Sequence, residues 1–143
     1  MPEIWLAEDN PADVYLIRTA LQEHGIACPV RVAPDGDEVL KFISGEGPAA
    51  TARELRMIIL DLNLPRHDGI EILEKLQKTP WMAGIPVVVL TSSDSPGDRL
   101  VANRLGAARY LRKPSSLDQF ISLGAVFKDV LERAENSNSL SAG

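Results

Sequence analysis

An apolar run, Met57-Ile58-Ile59-Leu60, ends abruptly on a carboxylate, Asp61. A run this short and this uniformly apolar suits a strand covered on both faces, as in a parallel sheet. Three further apolar segments close on polar groups: Ile4 to Ala7 on Glu8-Asp9, Pro86 to Leu90 on Thr91-Ser92-Ser93, and Ala108 to Leu111 on Lys113-Pro114 shortly after. The chain therefore places acids, a hydroxyl and a lysine at the mouths of buried strands.

Helical patterns fill the intervals. Asn10-Pro11 offers an N-cap followed by proline at the first helical position. Val14, Ile17 and Leu21 then recur at helical spacing, Leu16 and Ala20 widen the stripe, and Gly25 ends it. A weaker second strand is expected over Cys28 to Val32. Asp35 is expected to cap a second helix through Val39, Leu40, Phe42 and Ile43, closed by Gly45. Residues 45–54 read as an exposed connection. Ile70, Leu73 and Leu76 mark a third helix, followed by Pro80-Trp81-Met82. Leu100, Val101 and Leu105 suggest a shorter fourth helix ending at Gly106, before a fifth strand at Ala108 to Leu111. The last helix is expected from about Ser116 to Arg133, with Phe120, Leu123, Phe127, Val130 and Leu131 on its apolar side. Residues 136–143 are polar and read as a flexible tail behind a domain of residues 1–135.

Five strands alternating with five helices predict an α/β fold with a five-stranded parallel sheet, because each parallel connection needs a crossover. In the doubly wound order 2-1-3-4-5, strands one and three lie side by side at the switch point, and ligands bind beyond their carboxyl ends. Glu8 and Asp9 then face Asp61 across one crevice, and Thr91 and Lys113 end the neighbouring strands.

Composition narrows the function. A chain of 143 residues suits one domain, and 45% hydrophobic content is ordinary for a globular protein. A net charge of −5 disfavours nucleic-acid binding, since no basic excess exists to displace counterions. No apolar stretch approaches the ~18 residues of a membrane span. No basic segment followed by an apolar one begins the chain, so no signal peptide is expected. The lone cysteine, Cys28, makes no internal disulfide and points to the cytoplasm.

These residues, in this order, resemble the receiver domain of two-component response regulators, a CheY-like (βα)5 fold of flavodoxin-like order, over nearly the full chain. The matching residues are Glu8-Asp9, Asp61 with Leu64-Pro65 and Asp68-Gly69, Thr91, Tyr110 and Lys113-Pro114. The segments Ala7-Glu8-Asp9-Asn10-Pro11 and Asp61-Leu62-Asn63-Leu64-Pro65 are most similar to small stand-alone regulators that serve phytochrome-like histidine kinases. A receiver joined to a DNA-binding module would carry many more residues beyond the last helix, so a stand-alone regulator is expected.

The resemblance implies that Asp61 accepts a phosphoryl group from a phosphohistidine of a sensor histidine kinase. Positioning and charge neutralisation must then drive the reaction, since a carboxylate is a poor nucleophile. Two unit charges ~4 Å apart cost about 4 kcal/mol at an effective dielectric of 20, and a hard cation such as Mg²⁺ relieves the repulsion. The family pattern implies Asp9 and Asp61 as carboxylate ligands, Glu8 as a direct or water-mediated partner, and the Asn63 backbone carbonyl as a further ligand. It implies that Lys113 pairs with Asp61 and later with the phosphoryl oxygens, aimed by a cis Lys113–Pro114 bond. Thr91 and Tyr110 form the implied two-state switch. The implied output is altered protein contact, including a homodimer, through the face of the fourth helix, fifth strand and fifth helix. Ser92 follows Thr91 where the family usually has a smaller residue, which bears on access to the phosphoryl group.

Other readings fit less well. A haloacid-dehalogenase-type phosphatase needs a second aspartate two residues beyond the first, where this chain has Asn63. A flavodoxin-like cofactor protein needs a Ser/Thr/Gly-rich first loop, whereas Glu8-Asp9 would repel a phosphate. A degenerate receiver acting only as a binding module would not need the acids, Thr91 and Lys113 together. His24 and His67 read as exposed polar residues, Cys28 as filler in or near the core, and Trp5 and Trp81 as packing residues.

Overall fold

A computed structural model describes residues 2–44, 54–93 and 95–142, with side chains described through residue 136. Five strands, β1 (Glu3–Ala7), β2 (Val30–Ala33), β3 (Leu55–Leu60), β4 (Val87–Thr91) and β5 (Arg109–Arg112), form one parallel sheet in the order β2-β1-β3-β4-β5. Between and after them lie α1 (Pro11–Glu23), α2 (Gly36–Ser44), α3 (Gly69–Lys78), α4 (Pro96–Arg104) and α5 (Leu117–Ala142), with a 3-10 turn at Pro80–Met82. This is the expected doubly wound order. The expected connection at 45–53, and the closure of α2 by Gly45, lie outside the described residues.

Alternation along the strands splits the core in two. Ile4, Leu6, Met57, Ile59, Val88 and Leu90 pack toward α1 and α5, against Ile17, Leu21, Phe120 and Phe127. Trp5, Ala7, Ile58, Leu60, Val87 and Val89 pack on the other side, against Val39, Ile72, Leu73 and Leu76. The apolar runs Met57–Leu60 of β3 and Val87–Leu90 of β4 are needed because both faces of these central strands are dry. Trp5 is buried, with its ring 4.9 Å from Phe42 and 6.0 Å from Trp81, so both tryptophans pack as expected.

Local chemistry sets the helix starts. Asn10 Oδ1 accepts from the Ala12 N–H at 2.9 Å, and Pro11 opens α1. Asp35 Oδ1 accepts from the Glu38 N–H at 2.9 Å, Asp68 Oδ1 from the Ile70 N–H at 3.0 Å, and Ser95 Oγ from the Asp98 N–H at 3.3 Å.

Several boundaries differ from expectation. β2 begins at Val30 and not at Cys28, because Pro29 has no N–H for the ladder; its carbonyl still accepts from Ile4 at 2.9 Å. The expected fourth helix is present as α4, with Leu100 and Val101 59% and 38% exposed. That helix covers the sheet edge, and Ala102 is its buried residue. α5 runs to Ala142, past the expected end at Arg133, since residues 134–142 contain no Gly or Pro to interrupt the ladder. No cis peptide occurs among the described residues, so the Lys113–Pro114 bond is trans and its aim comes from the strand before it. Cys28 is half-buried beside the α1–α5 core, and burial raises its thiol pKa. Neither histidine is fully exposed. His24 is half-buried, and His67 Nε2 lies 2.7 Å from Asp37 Oδ1.

Candidate functional site

Sheet register assembles the site. Ala7 pairs with Leu60, Leu60 with Val89, and Val89 with Tyr110, so the carboxyl ends of the strands finish nearly level. The Asp61 N–H donates to the Ala7 carbonyl at 3.0 Å, which places Asp61 beside Glu8. The Lys113 N–H donates to the Thr91 carbonyl at 2.8 Å, continuing the ladder past β5 and bringing the lysine stem into the same crevice.

The crevice is polar yet largely closed to solvent. Glu8 is 2% exposed, Asp61 4% and Thr91 0%. Lys113 Nζ donates to Glu8 Oε1 and Oε2 at 3.1 and 3.0 Å, to Asp13 Oδ2 at 2.7 Å and to Asp61 Oδ2 at 2.8 Å. Every buried side-chain polar atom among the described residues has a hydrogen-bond partner.

The charges shift one another. Burial, reinforced by the neighbouring Asp61 carboxyl, pushes Glu8 up to about 8 against the pull of Lys113. Burial acts the same way on Asp61. There it is outweighed by hydrogen bonds with Glu8, Lys113 and the Asn63 N–H, so Asp61 stays below the usual carboxylate range. Burial alone would lower the Lys113 ammonium; Asp13, Asp61 and Glu8 together raise it.

One carboxylate oxygen from each of Glu8, Asp9 and Asp61 lies within 4.8 Å of the others, with Asp9 at the exposed rim. An all-oxygen donor set with one member open to solvent fits a hard divalent cation that keeps some of its waters. These are three of the four ligands expected from sequence. Asn63, the fourth, donates its N–H to Asp61 Oδ1 at 2.9 Å.

Thr91 and Tyr110 lie on the same side of this crevice. Thr91 Oγ1 accepts from Asn63 Nδ2 at 3.2 Å and from the Ser93 N–H at 3.3 Å. Asn63 Nδ2 also reaches Ser92 Oγ at 3.4 Å, so the residue after Thr91 is tied to the loop after Asp61. Tyr110 is buried, its hydroxyl 3.5 Å from the Ser93 carbonyl, with the Arg99 guanidinium 4.9 Å from its ring centroid.

Sequence reasoning missed Asp13. Its signal was a position in the first turn of α1, four residues after Asp9, where a side chain can turn back toward the strand ends. It also missed the Asn63 side chain as a bridge to Thr91 and Ser92.

Comparison with known proteins bears on the family and the fold. A model of the response regulator receiver domain matches residues 4–123. The chain is 32% identical over 120 residues to response regulator Rcp1 of Synechocystis sp., covering 84% of this chain and 82% of Rcp1. It superposes on the phosphorylated cyanobacterial phytochrome response regulator RcpA with a TM-score of 0.79 at 34% identity, covering 90% of this chain and 91% of RcpA. On the Mn²⁺-bound form of Rcp1 the TM-score is 0.75 at 31% identity, covering 86% and 89%. Among the described residues no helix is long and apolar enough to cross a membrane. By domain match, sequence identity and fold, this chain belongs to the response regulator receiver domain family.

Proposed function

We propose that this receiver takes a phosphoryl group onto Asp61 from a phosphohistidine of a sensor histidine kinase. The observation that carries the reading is the contact of Lys113 Nζ with Asp61 Oδ2 at 2.8 Å inside a crevice that also gathers Glu8 and Asp9. An Asp61 oxygen forms the new P–O bond as the P–N bond to histidine breaks, and the departing imidazole keeps the electron pair and takes a proton from solvent. Glu8, Asp9, Asp61 and the Asn63 carbonyl would hold Mg²⁺, which when bound would neutralise charge on the phosphoryl oxygens. Lys113 holds the phosphoryl group from the other side as a mobile point charge. Water later hydrolyses the acyl phosphate to inorganic phosphate and the free Asp61 carboxylate, and the reading assigns the protein no reaction beyond its own phosphoryl transfer and loss.

The output reading rests on Thr91 and Tyr110. Thr91 turns its hydroxyl to a phosphoryl oxygen, Tyr110 settles inward behind it, and an existing equilibrium shifts. The surface of α4, β5 and α5 then changes its contacts, a second copy of the chain being one occupant; the exposed Leu100 and Val101 on α4 suit such a face. The likeness to Rcp1 and RcpA favours a phytochrome-type kinase as donor, and the lone Cys28 suits a reducing cytoplasm.

Incubation with acetyl phosphate and Mg²⁺, followed by intact mass measurement, tests the reading. One phosphoryl mass is expected on the wild type and none on Asp61→Asn. An undiminished gain in Asp61→Asn would overturn it.

A further inference from the structure

Lys113 is shared among more carboxylates than the phosphoryl reaction requires. Three acids contact its ammonium, and Asp13, at 2.7 Å, makes the shortest contact. Glu8 and Asp61 belong to the group of acids able to hold a cation, while Asp13 does not. Asp13 comes from α1, whose N-terminus is fixed by the Asn10 cap and Pro11, so the carboxylate rides on a rigid element. The Asp13 and Lys113 side chains are 19% and 11% exposed, so solvent screens the pair only partly.

Two cationic species compete for the same oxygens. A divalent cation must share Glu8 and Asp61 with an ammonium already 3.0 and 2.8 Å from them. An acid outside the cation group that also binds the ammonium biases this competition.

We propose that Asp13 is a positioning residue, which draws the Lys113 ammonium toward the α1 wall of the crevice and so weakens its competition with the cation for Glu8 and Asp61. The inference rests on the cation and phosphoacceptor reading above. Without Asp13, Lys113 falls wholly onto Glu8 and Asp61, and the cation must displace it. When the cation draws Glu8 away, Asp13 remains as the counter-ion that keeps Lys113 aimed at the phosphoryl group.

A double-mutant cycle on cation affinity tests this, with Mn²⁺ as the probe counted by electron paramagnetic resonance. Asp13→Asn is expected to raise the Mn²⁺ dissociation constant about tenfold, as couplings between contacting charges do. Asp13→Glu, which keeps the charge, should recover most of that loss. In a Lys113→Met background, Asp13→Asn should change the constant by less than about twofold, because the competitor is gone. A loss of equal size in both backgrounds means that Asp13 acts on the cation directly through space, and overturns the proposal. Lys113→Gln repeats the cycle if Lys113→Met does not fold. Intact mass with acetyl phosphate separates the two levels of the argument. Wild type that binds Mn²⁺ and gains a phosphoryl group, beside an Asp13→Asn variant of unchanged affinity, sinks the role of Asp13 alone. Wild type that does neither removes the parent reading and this one together.

Discussion

Lys113 Nζ and Asp61 Oδ2 lie 2.8 Å apart although 52 residues separate them in sequence. The pair exists because β5 and β3 both end at the same edge of the sheet, with β4 between them. Around it, one ammonium contacts Glu8, Asp13 and Asp61. Removing one partner of a buried pair leaves charge uncompensated, at a cost of about 3–5 kcal/mol. Lys113→Met is therefore expected to destabilise the cation-free protein by roughly the lower end of that range, and Mg²⁺ should return much of the loss. Urea unfolding with chelator and with Mg²⁺ measures both; an unchanged midpoint in chelator contradicts the central role of the lysine.

A cation that binds only the folded protein must stabilise it. At 100 times its dissociation constant, Mg²⁺ should add about 2.7 kcal/mol. Asp9 stands at the exposed rim of the acid group, so Asp9→Ala should remove most of that increment while leaving cation-free stability within about 0.5 kcal/mol. Thermal unfolding of both proteins across a Mg²⁺ titration decides it.

The buried Glu8 predicts a pH dependence of defined sign. Its folded value is pushed up to about 8 from 4.5, chiefly by burial. The folded state thus binds the proton more tightly than the unfolded state, and that stabilisation is complete below the unfolded value and lost as pH rises toward 8. Asp61, lowered from 3.8, works in the opposite sense: its contribution is present above that value and lost as pH falls through its folded value. In chelator, the denaturation midpoint should decline between about 4.5 and about 8, and Glu8→Gln should flatten the decline. A profile unaltered by Glu8→Gln would remove Glu8 as its source.

Thr91 tests how the two loops are coupled. Its fully buried hydroxyl accepts from Asn63 Nδ2 and from the Ser93 N–H. Thr91→Val keeps the shape but removes the acceptor, at about 1 kcal/mol, since the exposed Asn63 amide can turn to water. The Asp61 phosphoryl mass should still form, while the phosphorylation-dependent shift of the Tyr110 ring resonances should vanish. Retention of that shift would separate Thr91 from the switch.

Gly69 has a different task. A Cβ at this position would run into the Leu62 backbone, directly after Asp61. Gly69→Ala must push the β3–α3 loop outward, and overpacking of this kind costs about 1–3 kcal/mol. Loss of that stability in denaturant, together with slower uptake from acetyl phosphate, is the expected result.

The fold was legible because its signals are local. The apolar runs Met57–Leu60 in β3 and Val87–Leu90 in β4, the Asn10-Pro11 and Asp35 caps, and Gly25 and Gly106, at φ +73° and +87°, each act within a few residues of themselves. Alternation of strands and helices then left few topologies, and the order of the sheet carried Glu8, Asp61, Thr91 and Lys113 to one edge. Where the reading slipped, a local rule met a nonlocal fact. His67 reads as an exposed polar residue, yet its Nε2 lies 2.7 Å from Asp37 Oδ1, 30 residues away.

Sequence alone determined which side chains stand at the strand ends, because strand period and helix capping depend on adjacent residues. Tertiary structure decided how those side chains share one another's charge. Asp13 meets Lys113 across 100 residues, and Asn63 meets Thr91 across 28. Such pairings depend on register and on the seating of α1, set by the packing of the whole core, and no short segment contains that information.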